Sequence, residues 1–320
     1  MIRCSLLLAA LTLGSLVAAD QPLKPGVLVT IPDAAGKFDF LEVDAARHRL
    51  LASHENSGTA DIIDLTSNKI LARVKLGTVV DTIVDPKTGN YYCSVQEDKR
   101  VAILDGQTFK EIGSIVVDGE TDGIVLNEKT RQLYVTHDNG THLWAVDVDS
   151  KKVVATIEIP AGPECLALDA AAGKLYLNCK TTSEVLVIDT QANKLLAKWP
   201  TAPAVAPHGL AYNAAAGRLY AAGDNGLLAV IDVKSGKVIS SAKIAEHVDQ
   251  AAFDPVKGLI YAAGPDALSV LRATPAGAEF LGNVKTAATA KNVAIDPATH
   301  AVWTTYTDGK HSYAQSFVQP

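Results

Sequence analysis

Residues 164–199 read, in succession, ECLALD, AAAG, KLYLNC, KTTS, EVLVID and TQANKLLAKW. Four segments rich in Val, Leu, Ile and Tyr alternate with breaks of Ala, Gly, Thr, Asn and Asp, the pattern of four strands joined by hairpins. One four-stranded sheet cannot bury both of its faces, so this segment needs partners of its own kind.

The rest of the chain supplies them. An acid or amide closes the first strand at Asp44, Asp85, Asn127, Asp169, Asn213, Asp254 and Asp296, at spacings of 41 to 44 residues. Seven residues after each of these stands a large side chain: Leu51, Tyr92, Tyr134, Tyr176, Tyr220, Tyr261 and Trp303. A second Asp follows 20 residues after the first position in four copies (Asp64, Asp105, Asp147, Asp189) and 19 after it in the fifth (Asp232). The Ala runs at 170–172 and 214–216 are too short for helices and read as turns. Asn139-Gly140 and Asn225-Gly226 are signals for two-residue turns between the second and third strands.

Four strands repeating at this period describe a propeller blade, and no 3.6-residue periodicity competes with it. The expected fold is therefore all-β: a seven-bladed β-propeller of four-stranded antiparallel blades, forming a single domain over 20–320. The seventh copy stops after three strands, while residues 27–31 (VLVTI) match a fourth strand such as 153–157 (VVATI). The N-terminal strand is thus expected to pair with the strand near 312–318 and close the ring, which removes both open sheet edges.

The blocks Leu175-Tyr176 with Val187-Ile188-Asp189, repeated as Leu133-Tyr134 with Val146-Asp147 and as Leu219-Tyr220 with Ile231-Asp232, resemble the YVTN-repeat (YncE-like) family over about residues 39–319. The resemblance implies the propeller fold. Such propellers host binding, scaffolding and catalysis alike, so function must be read from the site.

Residues 1–19 combine Arg3, an apolar run over 6–17 and the small residues Val17-Ala18-Ala19, as a secretory leader does. Cleavage near Ala19 would leave an extracytoplasmic protein, periplasmic or secreted, with no apolar run long enough to span a bilayer. With Arg3 removed, 28 basic residues stand against 35 acidic ones, which disfavours nucleic acid as a partner. Three cysteines remain beyond Cys4, too few for a disulfide-framework fold. Cys165 and Cys179 are expected to face each other across the first hairpin of the fourth copy, within reach of a disulfide.

There is no Gly-rich phosphate loop, no His-Glu-x-x-His, no haem-attachment motif and no Gly-x-Ser-x-Gly elbow. What remains is positional. Residues entering the innermost strands, Asp39, Asp81, Asp122, Glu164, His208, Asp249 and Lys291, are expected to ring one mouth of the channel. Carboxylates so gathered repel each other and are relieved by a bound cation, by sugar hydroxyls or by protonation. His137 and His142 oppose each other across Asn139-Gly140 and are candidate ligands for Zn or Cu, with a third ligand from Asp138 or another blade. Asp118, Glu120 and Asp122 are spaced like the opening of a calcium loop, but Lys129 occupies the place of its closing Glu. The insertion at 201–207 (TAPAVAP) lengthens a connection on the same face. Two readings follow: a binding scaffold taking a protein or small molecule on its channel face, with a divalent cation as the candidate cofactor, or a lactonase-like hydrolase. In the second, Glu164, Asp249 and Asn292 would hold the metal and His208 would be the base.

Overall fold

In the computed structural model, which describes residues 21–32 and 36–320, seven four-stranded antiparallel sheets form a ring. The proposed leader and its cleavage point lie outside the described residues. Blade 1 comprises β2 to β5 (residues 41–75), blade 2 β6 to β9 (79–116) and blade 3 β10 to β13 (121–158). Blade 4 comprises β14 to β17 (163–200), blade 5 β18 to β21 (207–243) and blade 6 β22 to β25 (250–285). Blade 7 joins β26 (Ala294–Ile295), β27 (Val302–Thr307) and β28 (Ser312–Val318) to β1 (Lys24–Ile31), which pairs antiparallel with β28. The N-terminal strand therefore completes the last blade, as read from the repeats.

The repeated residues have two separate causes. The acid or amide ending each first strand accepts backbone N–H groups of the following turn: Asp85 from Lys87, Asn127 from Lys129, Asp254 from Val256 and Lys257. The second Asp series does the same after the third strand, with Asp189 receiving Gln191 and Ala192. The large residue seven places on is packing. Leu51, Tyr92, Tyr134, Tyr176, Tyr220, Tyr261 and Trp303 are all buried, each in an apolar cluster. Five junctions carry a further tie, in which the first-strand Asp of one blade bonds a side chain of the next. Tyr91 donates to Asp44, Arg131 pairs with both oxygens of Asp85, and Tyr212 donates to Asp169. His300 contacts Asp254, and His48 contacts Asp296 across the closing seam.

Two local expectations change. Cys179 is opposite Pro163, because a bulge between Pro163 and Leu166 displaces Cys165 from the ladder. Cys165 Sγ contacts the Asp249 carbonyl and Cys179 Sγ the Ala161 carbonyl, and Cys93, Cys165 and Cys179 are all buried free thiols. The turn at Asn225-Gly226 holds an odd number of residues, since Ala222 pairs with Leu228 while Thr136 pairs with Leu143 in blade 3. That missing residue explains the spacing of 19 to Asp232. Asn225 instead pins the 201–207 insertion, accepting from Val205 N and donating to the Pro203 carbonyl.

Candidate functional site

The first strands of successive blades pack against one another around the axis, so their side chains line the channel. Their entry segments are bulged in blades 2, 3, 4 and 5, which breaks strand alternation and lets consecutive residues both face inward. Two rings result. Five places before the turn acid or amide stand Asp39, Val80, Asp122, Glu164, His208, Asp249 and Lys291. Four places before it stand Phe40, Asp81, Gly123, Cys165, Gly209, Gln250 and Asn292.

The outer ring opens into a polar cavity of about 380 Å³, lined by Asp39, Asp122, Glu164, His208 and Asp249 together with Lys37, Glu55, Gln96, Asp138 and Lys180. The structure thus gathers five of the eight channel residues picked from sequence. Asp81 is one place further along than its peers and lines a second cavity on the other side of the inner ring, where its Oδ2 accepts from Ile124 N at 2.9 Å. Asn292 is buried, donating to Thr305 Oγ1 at 2.7 Å and accepting from Thr305 N. Lys291 does not line the cavity, but its charge helps keep Asp249 ionised. Four of the further lining residues, Glu55, Gln96, Asp138 and Lys180, all stand four places after a core residue (Leu51, Tyr92, Tyr134, Tyr176), on second-to-third strand turns, whereas Lys37 precedes the first strand and follows no such offset. That fixed offset was the available signal.

Phe40, Cys165 and Gln250 line both cavities and so form the partition between them. Phe40 leaves blade 1 and packs on the Cys165 and Leu210 cluster of blades 4 and 5 across the channel. Gly123 makes room for it, since a Cβ there would lie 3.4 Å from Phe40 Cζ and 3.1 Å from Leu166 Cδ1.

Six carboxyl side chains against three basic ones set the electrostatics of the mouth. Lys37 pairs with Glu55 at 2.6 Å and lies 3.5 Å from Asp39, and Lys180 pairs with Glu164 at 2.6 Å. His208 Nδ1 sits between Glu164 Oε2 at 3.4 Å and Asp249 Oδ1 at 3.5 Å. Burial alone would lower the His208 pKa, but its two carboxylate partners outweigh that and raise it to about 9. The imidazole is therefore a cation and a hydrogen-bond donor at neutral pH. Asp249 is held below the usual carboxylate range, since His208, Lys291 and Lys37 outweigh its burial. Asp122 goes the other way, pushed well up by burial and then by the charges of Glu164 and Asp138. Asp39 is likewise raised by burial, although Lys37 opposes the shift. The mouth therefore holds carboxyls of raised and of lowered pKa side by side, with cationic donors between them.

His137 and His142 stack with ring centroids 5.8 Å apart and planes 8° from parallel, and Trp144 lies 4.9 Å from His137. Asp118 is engaged by Trp144 Nε1 at 2.8 Å. Among the described residues no group of three or more His, Cys, Asp or Glu is placed to hold a metal ion, and no helix is long and apolar enough to cross a membrane.

No family model matches the chain. Among curated proteins it is similar to the uncharacterized protein YncE of Salmonella typhi, 29% identical over 171 residues, which is 50% of this chain and 47% of the relative. The YncE of Escherichia coli O157:H7 is 27% identical over 125 residues, 37% of this chain and 35% of that protein. The matches span about half or less of these relatives' length, and they bear out the YncE-like resemblance carried by the repeats. Among solved structures the fold is similar to a chain of the mitotic checkpoint complex, with TM-score 0.81 and 12% identity over 100% of this chain and 99% of that one. It is also similar to the RRP9 WD40 repeats, with TM-score 0.78 and 8% identity over 92% and 99%. At such identities these structures show the shared propeller fold alone.

Proposed function

We propose that this YncE-like seven-bladed propeller is a ligand-binding scaffold that takes a small polar solute into its acidic channel mouth and acts outside the cytoplasm once residues 1–19 are removed. The observation carrying this reading is the convergence of Asp39, Asp122, Glu164, His208 and Asp249 from five blades on one cavity of about 380 Å³. The carboxyls of Asp39, Asp122, Glu164 and Asp249 offer acceptors, while Lys37, Lys180 and protonated His208 offer fixed donors. That mixture suits a polyhydroxyl or zwitterionic molecule, and a divalent cation would draw on the same carboxylates. The hydrolase reading finds less support, because Asn292 is committed to Thr305 and His208 is already protonated.

A thermal-shift screen of monosaccharides, amino acids and the ions of Ca, Mg, Mn, Zn and Cu tests the proposal. A saturable rise in melting temperature, amounting to about 2.7 kcal/mol of stabilisation at a hundredfold excess over Kd, is expected for at least one of them. No rise with any would count against the mouth as a binding site.

A further inference from the structure

Beyond the partition formed by Phe40, Cys165 and Gln250, the channel widens into a second cavity of about 570 Å³ that runs toward the first-to-second strand turns at Pro86, Pro255 and Pro297. Its size falls in the range of small-molecule sites. Its character is unlike that of the mouth. Ile83, Ile124, Leu126, Leu166 and Phe253 supply apolar wall, and none of the described residues lining it is a Lys or Arg.

Carboxyl groups nevertheless face this apolar space. Asp254 is satisfied by His300 and by the Val256 and Lys257 amides, and Glu128 is exposed at the rim. Glu42 and Asp81 are different. They come from the inner strands of adjacent blades, and both line the cavity. Asp81 is only 4% exposed, and no basic side chain is bonded to it. Gln250, 6% exposed, lines the same cavity and has its Oε1 occupied by Val293 N. Burial, and to a lesser extent Asp44, pushes the Glu42 carboxyl up to about 7, and burial with the Glu42 charge keeps Asp81 raised well above the usual range. Two carboxyls without a counter-charge in an apolar chamber, Asp81 buried and Glu42 half-buried, are costly when ionised, and a ligand that brings the missing positive charge recovers that cost.

We propose that this chamber is a second binding site, separate from the mouth, for a small hydrophobic primary amine whose ammonium is received by Glu42 and Asp81 and whose hydrocarbon body lies against Ile83, Ile124, Leu166 and Phe253. A neutral apolar molecule would fill the walls but leave both carboxyls unpaired. A sugar or an anion would match neither the walls nor the charge.

The test is isothermal titration of the full protein with n-butylamine, n-pentylamine, n-hexylamine and n-hexanol, with methyl NMR spectra to locate the binding. Binding should tighten roughly three- to fourfold per added methylene, which is what burial of hydrocarbon predicts. Hexanol should bind at least tenfold more weakly than hexylamine, and the methyl resonances of Ile83 and Ile124 should shift on titration. Glu42→Gln keeps the side-chain volume and removes only the charge. It should not lower the melting temperature of the unliganded protein, and it should weaken hexylamine at least tenfold while leaving hexanol unchanged. Asp81→Asn, which keeps an acceptor for Ile124 N, should give a loss of the same sign. Equal affinity for amine and alcohol, no gain with chain length, an unaltered Glu42→Gln variant, unmoved Ile83 and Ile124 methyls, or no amine binding would each overturn the proposal.

Discussion

His48 of blade 1 and Asp296 of blade 7 meet at 2.8 Å across the seam where the two ends of the chain close the ring. Asp296 is buried, and hydrogen bonds from Thr299 and His48 outweigh that burial to hold its carboxyl low. A carboxylate depressed in this way stabilises the fold above its unfolded pKa and loses that contribution as pH falls through the folded value. His48→Ala should therefore cost about 1.5 kcal/mol at pH 7 and less at pH 2. Deleting residues 20–31 should do far more, exposing β28 as an open edge and replacing a single cooperative melt by aggregation. Calorimetry of both variants checks the pair of statements, and a truncated chain that melts like the full one would contradict ring closure by β1.

The blade cores set the scale for comparison. Tyr176 is 1% exposed and packs with Trp199 and Tyr212 at centroid distances of 5.7 and 5.5 Å. Tyr176→Ala should cost about 3–5 kcal/mol, measured by denaturant unfolding. A loss below about 1 kcal/mol would remove that ring from the packing account.

At the mouth, His208 gives a pH signature of opposite sign to that of Asp296. Its folded pKa of about 9 lies above the ordinary imidazole value, so its contribution is complete below about pH 6.5 and disappears as pH rises through 9. The difference in stability between wild type and His208→Gln should be on the order of 2–3 kcal/mol at pH 6 and close to nothing at pH 10. Equal differences at both pH values would mean that His208 is not held by Glu164 and Asp249 in this way.

Asp122 shows the converse case. A carboxyl raised by burial and by Glu164 and Asp138 destabilises the fold wherever the unfolded chain would ionise it, that is, above about pH 4. Asp122→Asn should raise the melting temperature of the unliganded protein at pH 7 by a few degrees, about 2–4 °C for each kcal/mol, and change it little at pH 3. A lower melting temperature at pH 7 would show that Asp122 is a stabilising partner instead.

Much of this molecule was legible because propeller geometry repeats. The turn-capping acids and the buried Leu/Tyr/Trp series sit at constant offsets, so Asp44 through Asp296 and Leu51 through Trp303 could be read as seven copies of one unit. The outer ring followed from the same arithmetic, apart from Asp81, whose copy has Val80 in the equivalent place. Departures from period were not legible. The bulge that turns Cys165 into the channel shifts the register by which Cys165 and Cys179 seemed opposed. Phe40 reaches blades 4 and 5 from blade 1, a contact between residues far apart in sequence that no repeat encodes. Lys180 and Asp138 were within reach, at four places after Tyr176 and Tyr134, but their turns needed the closed ring to show that they meet.

The most direct measurement is isothermal titration of the strongest screening hit into the wild type and into an Asp122→Asn, Asp249→Asn double variant. Both substitutions keep side-chain volume and remove charge from opposite sides of the polar cavity. If the mouth is the binding site, the wild type should bind one equivalent and the double variant should bind at least tenfold more weakly, a loss of about 1.4 kcal/mol or more. Equal affinity in the two proteins would place the ligand elsewhere and contradict the account.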